Sequence, residues 1–397
     1  MRVLQMMPVY APAWQYGGPV LSVSRLAEGL VRQGIDTRVL TTNGGLPQLP
    51  PEQLGRPLLR NGVRVTYFPV DRPKGPIHSK ALLAALPTAL EGVDLLHISA
   101  IWQPLGIPVQ RAALARGIPV LASLRGALGP YSRRQGWWKK IPWYFMRERP
   151  LLQQAAGLHV TTRQEERELA GLDLRSPRFL LPNPLDLQTL RPDPALGLRW
   201  RAQRGLDATT PLLLVCGRQH HKKGLDLLPA AMAPLANRPW TLLLVGADDD
   251  GSGARLRANF GRAGLGDRLH WIDTLPAEDL AGVYNAADLL LLPSRHENFG
   301  NVVVEAMACG AAVLISDRTG VGDDLIEAAP ADFGAVLPRH AGIWSRWLAV
   351  WLQAPRRAGL TTAAWAAQRY SQEHVALDAL RIYSDILQNS PTRARRP

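Results

Sequence analysis

Short apolar runs alternate with helically spaced segments along the chain, twice over. The first run, 3–9, leads into a Pro/Gly-rich loop at 12–19. Segment 20–33 then spaces Leu21, Leu26, Leu30 and Val31 as a helix, and Gly34 closes it. Runs at 37–42, 95–98, 120–123, 158–161 and 179–181 read as further strands, with an alanine-rich helix ending at Gly117 among them. The pattern restarts at 212–215 and continues through 242–245, 269–272, 289–292 and 312–315. Apolar runs this short, without polar alternation, are strands buried on both faces, as in a parallel sheet covered by helices. The expectation is an α/β chain of two doubly wound domains, 1–182 and 183–368, parted in the proline-rich stretch that holds Pro182, Pro184, Pro192 and Pro194. Residues 372–387 space Val375, Leu377, Leu380, Ile382 and Ile386 as a last helix, and 391–397, with three arginines, reads as a disordered tail. A ligand is expected in a cleft between the two domains.

Charge changes this picture. The 397 residues carry a formal +13. Residues 1–200 hold 25 Lys and Arg against 13 Asp and Glu, a balance of +12. Residues 201–397 hold 21 against 20. The first domain therefore points to a polyanionic partner: nucleic acid, an anionic membrane or a phosphorylated substrate. A hydrophobic fraction of 46% excludes wholesale disorder. No run approaches the ~18 apolar residues of a membrane span. Two cysteines, Cys216 and Cys309, exclude a disulfide framework and fit a reducing compartment. Gln5 and Pro8 interrupt the first apolar run, which reads as a buried strand rather than a signal peptide, so the expected location is cytoplasmic.

The densest chemistry lies at 293–310. A strand runs into a loop bearing Glu297, and a helix bearing Glu305 begins near Gly300. Free N–H groups at a helix start favour an anion, and glycine lets that backbone approach closely. A carboxylate accepts hydrogen bonds from two sugar hydroxyls at once. The segment thus suits a diphosphate with a sugar on either side. A second signal is Gly217-Arg218-Gln219-His220-His221-Lys222-Lys223-Gly224, directly after the strand at 212–215. Arg218 and Lys223 stand where open α/β sheets bind ligands, and two fixed cations neutralise a diphosphate. A third is Gly17-Gly18 after the first strand. His220 and His221 have no third metal ligand at a recognised spacing, and Asp248-Asp249-Asp250, the nearest metal-binding candidate, reads rather as a solvated loop, so no metal is expected. His97, at a strand end, either faces the ligand or plays a hydrogen-bonded structural role.

These motifs resemble the retaining glycosyltransferases of family four, the glycosyl transferases group 1. Glu297 and Glu305 with Phe299-Gly300 between and Ala306-Met307 after, and Gly217-Arg218 followed by Lys222-Lys223-Gly224, carry the resemblance. Gly17-Gly18, Pro182-Asn183 with Asp186, Val245-Gly246 and Tyr284-Asn285-Ala286-Ala287-Asp288 extend it. Arg125-Gly126 and Trp102 are similar to a subgroup linked to surface polysaccharides. The resemblance implies a GT-B fold: two Rossmann-like domains facing each other across a cleft, with a C-terminal helix, 369–390, packed back on the first. It implies Arg218 and Lys223 on the donor diphosphate and Glu297 on the donor sugar. It places Glu305 on the ribose, Leu275 near the base, and Asn298, Phe299, Gly300 and Asn301 on sugar or phosphate. Gly17, Gly18 and Gly246 fall among the donor contacts, and Arg125 and His97 on the acceptor side or a phosphate. The chain departs from the family at Arg125, where a His is frequent, and at Asn183-Pro184, where Asn-Gly is usual.

The implied activity is transfer of a hexose-type sugar from a GDP- or UDP-linked donor to a hydroxyl of a glycan or lipid-linked acceptor. Polysaccharide or cell-envelope glycan biosynthesis is the implied setting, with no cofactor and no metal. The alternatives are a nucleotide-sugar epimerase on the same fold and a non-catalytic nucleotide-sugar-binding subunit. Nucleic-acid binding is suggested by charge alone, without a recognised motif, and is not expected. Residues 133–149 set Lys and Arg beside Trp and Tyr, as an interfacial membrane surface needs. The expectation there is peripheral docking on the inner membrane face. The alternative is a helix whose aromatics are core and whose arginines are solvated.

Overall fold

The computed structural model describes residues 1–390 apart from Pro73; the expected disordered tail, 391–397, lies outside the described residues. The chain forms two compact units, Met1–Pro184 together with the segment from Gln372, and Leu185–Ser371. The divisions fall two or three residues beyond the expected 182/183 and 368/369.

The first unit holds β1 (Arg2–Val9), β2 (Asp36–Thr42), β3 (Pro57–Arg60), β4 (Val63–Phe68), β5 (Leu95–Ile98), β6 (Val120–Ser123), β7 (Gly157–Val160) and β8 (Arg178–Leu180). They form one sheet in the order β3-β4-β2-β1-β5-β6-β7-β8. All neighbours are parallel except β3 and β4. Sequence reasoning missed that pair. In β4, buried Val63, Val65 and Tyr67 alternate with exposed or half-buried Arg64 and Thr66, so no continuous apolar run marks it. The helix Gly18–Arg32 starts two residues before the expected one, with Gly17 at its N-cap. The last helix, Gln372–Asn389, packs on it. Val375, Ala376, Ala379, Tyr383 and Ile386 join Val3, Leu26, Leu30, Leu95 and Leu121 in one cluster. Gly29 makes this approach possible, since a Cβ there would lie 2.7 Å from the carbonyl oxygen of Gln372.

The second unit holds β9 (Leu212–Cys216), β10 (Thr241–Val245), β11 (Leu269–Ile272), β12 (Leu289–Leu292), β13 (Ala312–Ser316) and β14 (Gly334–Leu337). The sheet order is β11-β10-β9-β12-β13-β14, all parallel. Burial on both faces explains the unbroken leucines. Leu290 and Leu292 of β12 join one core cluster with Leu212, Leu214 and Cys216, while Leu289 and Leu291 join another with Leu213 and Val215. The half-buried β14 has no such run and was not foreseen. Chain order reverses between β9 and β12, because β10 returns on one side of β9 and β12 lies on the other. Such a reversal leaves a crevice at the carboxyl ends of the strands. In the first unit the equivalent reversal lies between β1 and β5.

Candidate active site

Loops from β9, β10, β12 and β13 meet at the carboxyl ends of the second sheet. After β9 the chain turns at Gly217 (φ 115°) and passes a short turn, His221–Lys223, that Gly224 closes in the left-handed region (φ 64°). The β9 and β10 loops are zipped together. The Gly217 N–H donates to the Val245 carbonyl (2.8 Å), Gln219 N–H to Ala247 (2.7 Å) and Asp249 N–H to Gln219 (2.9 Å). Gly246 allows this, since a Cβ there would sit 2.3 Å from the Gly217 carbonyl oxygen. On the other side, the Arg295 N–H donates to the Lys222 carbonyl at 2.8 Å. Arg339 ties the same two loops, donating to the carbonyls of Gly224 and Pro293, both at 3.0 Å. No sequence motif pointed to Arg339.

These ties bring the Lys223 ammonium to 2.6 Å from Glu297 Oε2, with side chains 23% and 20% exposed. Burial opposes a charge on Glu297. The ammoniums of Lys223 and Lys222, with His296, outweigh it and hold the Glu297 carboxyl below its ordinary range. The backbone of Glu297 is fixed to the β13 loop: its N–H donates to the Arg318 carbonyl and its carbonyl accepts from Gly320 N–H, both at 2.9 Å. Gly300 (φ 98°) is the N-cap of the helix Asn301–Ala308, which no side chain caps. The Val303 N–H donates back to the Gly300 carbonyl at 2.9 Å, and the partial positive charge of this helix start favours an anion. Phe299 is core and packs edge-on against Tyr370, at 5.8 Å between ring centroids, so its backbone alone belongs to the site. Asn298 and Asn301 are half-buried beside it.

Glu305 is buried and accepts a hydrogen bond from the Tyr284 hydroxyl at 2.9 Å. Burial pushes the Cys216 thiol up to about 11 and Cys309 up to about 12, so both are neutral. Arg218 is exposed and leans on Asp249 at 3.4 Å rather than on Glu297. Leu275 follows β11 and rests half-buried on the core.

The aspartate triplet is not a merely solvated loop. Asp248 accepts from the N–H groups of Gly253 (3.1 Å) and Ala254 (2.9 Å), and Asp250 from that of Ser252 (3.0 Å), so both secure the start of the helix Ser252–Arg262. The zipped loops also supply what spacing did not show. Asp250 Oδ2 lies 2.9 Å from His221 Nδ1 and 3.8 Å from His220 Nε2. Among the described residues, these three are the group that could hold a divalent cation.

The remaining expected residues lie in the first unit. Gly17 (φ 79°) and Gly18 start the helix after β1, and a Cβ on Gly17 would meet nothing within 4 Å. Arg125, also at positive φ (48°), donates to the Asn183 side chain at 3.0 Å and reaches Ser99 Oγ at 3.4 Å; burial lowers its pKa to about 10. His97 does not face a ligand. It is buried, with Nδ1 2.8 Å from the Tyr383 hydroxyl and Nε2 3.0 Å from His159 Nδ1. The Leu181 carbonyl, 2.8 Å from His159 Nε2, can only accept, so Nε2 carries hydrogen and His159 Nδ1 accepts. The Ser123 hydroxyl, 2.9 Å from the same Nδ1, shares that acceptor, and the network holds with both imidazoles neutral.

A pH dependence follows. Burial, the facing imidazole and Arg125 hold His97 well below its ordinary range; burial and Arg125 lower His159 to about 3. Unfolded, both take up protons near pH 6.5. Their contribution to stability is therefore full above about pH 6.5 and falls with pH, by up to about 1.4 kcal/mol per pH unit for each imidazole. Thermal melts between pH 7 and 4 should show a steep acid limb that His159→Gln flattens; an unchanged limb would refute the assignment.

Comparison with known proteins follows the same division. Residues 198–336 match the family model for glycosyl transferases group 1, and residues 17–184 that for a glycosyl transferase 4-like domain. A D-inositol 3-phosphate glycosyltransferase of Segniliparus rotundus is 34% identical over 227 residues, 55% of this chain; the match spans about half (49%) of that protein. A 2-deoxystreptamine glucosyltransferase of Streptomyces kanamyceticus is 28% identical over 394 residues, 92% of this chain and 98% of that one. Among solved structures, Anabaena HepE in complex with UDP-glucose aligns with TM-score 0.73 and 20% identity, over 97% of this chain and 100% of that one.

Proposed function

The chain belongs to the glycosyl transferases group 1 family and has the two-domain GT-B fold, and on that premise we propose a retaining hexosyltransferase using a GDP- or UDP-linked sugar. The observation that carries this reading is the Lys223–Glu297 pair, 2.6 Å apart where strand order reverses and beside an uncapped helix start. A nucleoside diphosphate departs with negative charge growing on its β-phosphate. Lys223, held against Glu297, and the helix start at Asn301 supply positive charge there before reaction, and the exposed Arg218 turns from Asp249 to join them. Glu297, kept ionised by Lys223, accepts from hydroxyls of the donor sugar, and Glu305 from the ribose. Gly246, Leu275 and the backbone of Asn298, Phe299 and Gly300 complete the donor contacts. The acceptor oxygen bonds to the anomeric carbon on the side from which the phosphate oxygen leaves. The phosphate takes the hydroxyl proton, and configuration is retained.

The acceptor in this reading is a hydroxyl of a glycan or lipid-linked glycan in polysaccharide or cell-envelope assembly, in the cytoplasm. The names of the relatives add D-inositol 3-phosphate and 2-deoxystreptamine to the acceptors to try, and the HepE complex puts UDP-glucose first among donors. In this reading Lys223 and Arg218 supply the charge that a divalent cation would otherwise bring to the diphosphate, and the enzyme works without cofactor or metal.

A thermal-shift screen of UDP- and GDP-sugars tests the donor. A donor at 100 times its Kd stabilises by about 2.7 kcal/mol, which reads as a clear rise in Tm. Turnover with the acceptor panel, in EDTA, should then proceed undiminished and give a product of the donor's anomeric configuration. No shift with any nucleotide sugar would sink the reading. An isomerised sugar nucleotide without acceptor would favour the epimerase. Loss of turnover in EDTA would move attention to His220, His221 and Asp250.

A further inference from the structure

The crossover from β6 to β7 carries a surface that the transfer site does not use. Helical turns run without a break over 137–152: Trp137–Trp143, a wider turn Tyr144–Glu148, then Arg149–Leu152. One side of this run is anchored. Tyr144 is buried and donates to the Leu172 carbonyl at 3.1 Å. The buried Glu148 carboxylate accepts from the Trp143 indole (2.9 Å) and the Trp102 N–H (3.0 Å). The other side is bare. Trp137, Trp138, Ile141, Phe145 and Met146 are between 48% and 65% exposed. Residues 137, 141 and 145 recur four apart and form one stripe along the helical run, with Trp138 and Met146 beside it.

Scattered exposed apolar residues are ordinary, but five large ones on one helical run mark an interaction surface. Its charge identifies the partner. Residues 133–147 contain Arg133, Arg134, Lys139, Lys140 and Arg147 and no acid. Arg134, Lys139 and Arg147 are exposed with the stripe, and the Lys139 ammonium lies 4.5 Å from the centre of the Trp138 ring. A second copy of this chain would bring like charges together, in a half of the sequence already at +12. An anionic lipid surface meets both needs: headgroups for the cations and the acyl boundary for indole, phenyl and thioether groups. No helix among the described residues is long and apolar enough to cross a membrane, so attachment here is lateral.

We propose that residues 134–147 form an in-plane docking face for anionic phospholipid bilayers, with Trp137, Trp138, Ile141, Phe145 and Met146 entering the interface and Arg134, Lys139 and Arg147 pairing with headgroups. This does not rest on the sugar-transfer reading, because lipid binding requires no turnover.

Co-sedimentation of the full chain with vesicles tests it, using phosphatidylcholine alone and phosphatidylcholine with one third phosphatidylglycerol. Binding to the anionic vesicles is expected at 50 mM salt, at least tenfold weaker at 500 mM and at least tenfold weaker on neutral vesicles. The variant Trp137→Ser with Trp138→Ser and Phe145→Ser, and separately Arg134→Glu with Lys139→Glu and Arg147→Glu, should each lose at least tenfold in binding. Their melting temperatures should be unchanged, because these side chains project outward. Absence of binding at low salt overturns the proposal. So does binding that the aromatic variant retains in full. Concentration-dependent self-association that the same substitutions abolish, without vesicle binding, also overturns it and assigns the face to a second copy.

Discussion

Replacing Lys223 by methionine is expected to lower kcat for sugar transfer by ~10²–10³, about 2.7–4 kcal/mol of transition-state stabilisation. The ammonium has two duties. It supplies positive charge at the crevice, and at 2.6 Å it keeps the largely buried Glu297 ionised. Removing it takes away the first and lets burial raise the Glu297 carboxyl, so its protonated form accepts fewer sugar hydroxyl bonds. Lys223→Arg keeps the charge but not the compact geometry and should recover only part of the rate. Stability separates catalysis from mere support. Glu297→Gln with Lys223→Met removes both charges and should restore Tm while leaving kcat low. If the double variant regained turnover together with Tm, the pair would be structural.

Arg201→Met should give the largest loss of stability in the second unit, about 3–5 kcal/mol. Arg201 is 4% exposed. Its guanidinium donates to the carbonyls of Ala286 (2.6 and 2.8 Å), Asp207 (3.2 Å), Ala208 (3.1 Å) and Thr210 (3.0 Å), and to the Asp288 carboxylate at 2.7 Å. Asp288 in turn accepts the Leu212 N–H at 2.8 Å. One cation therefore joins the entry to β9 with the entry to β12, the strands whose far ends carry Lys223 and Glu297. Methionine fills the volume but takes the guanidinium donor from four carbonyls and leaves the Asp288 carboxylate, without its counter-charge, only the Leu212 N–H. For a unit of this size the Tm of the second unit should fall by roughly 6–20 °C. A change under about 2 °C would show that water replaces the guanidinium.

How far the letters foretold these features depended on the kind of burial. Strands covered on both faces, such as β9 and β12, announce themselves as unbroken leucine runs. β4, with one side open, and β14, half-buried throughout, carry no such mark. In the site, residue types at 297, 305, 218 and 223 were legible because they sit in compact motifs. The Lys223–Glu297 contact was not, since 74 positions separate the partners and the reversal between β9 and β12 joins them. Asp250 escaped the metal-spacing argument for the same reason. It reaches His221 through the zipped loops, not through local sequence. His97 was ambiguous because one letter serves a ligand and a structural bond equally. Its partner Tyr383 lies 286 positions away.

The return of the last helix to the first sheet bears on how the polypeptide is made. Leu185–Ser371 is in effect an insertion within the first unit. A ribosome that has synthesised β1 to β8 must add the whole insertion before Gln372 emerges. At ~5–20 residues per second this takes roughly 10–40 s. During that interval Val3, Leu26, Leu30 and Leu121 lack the helix that covers them. The first-made unit is thus the last to close, and a holdase chaperone protecting that strip would act on the nascent chain until the helix Gln372–Asn389 emerges.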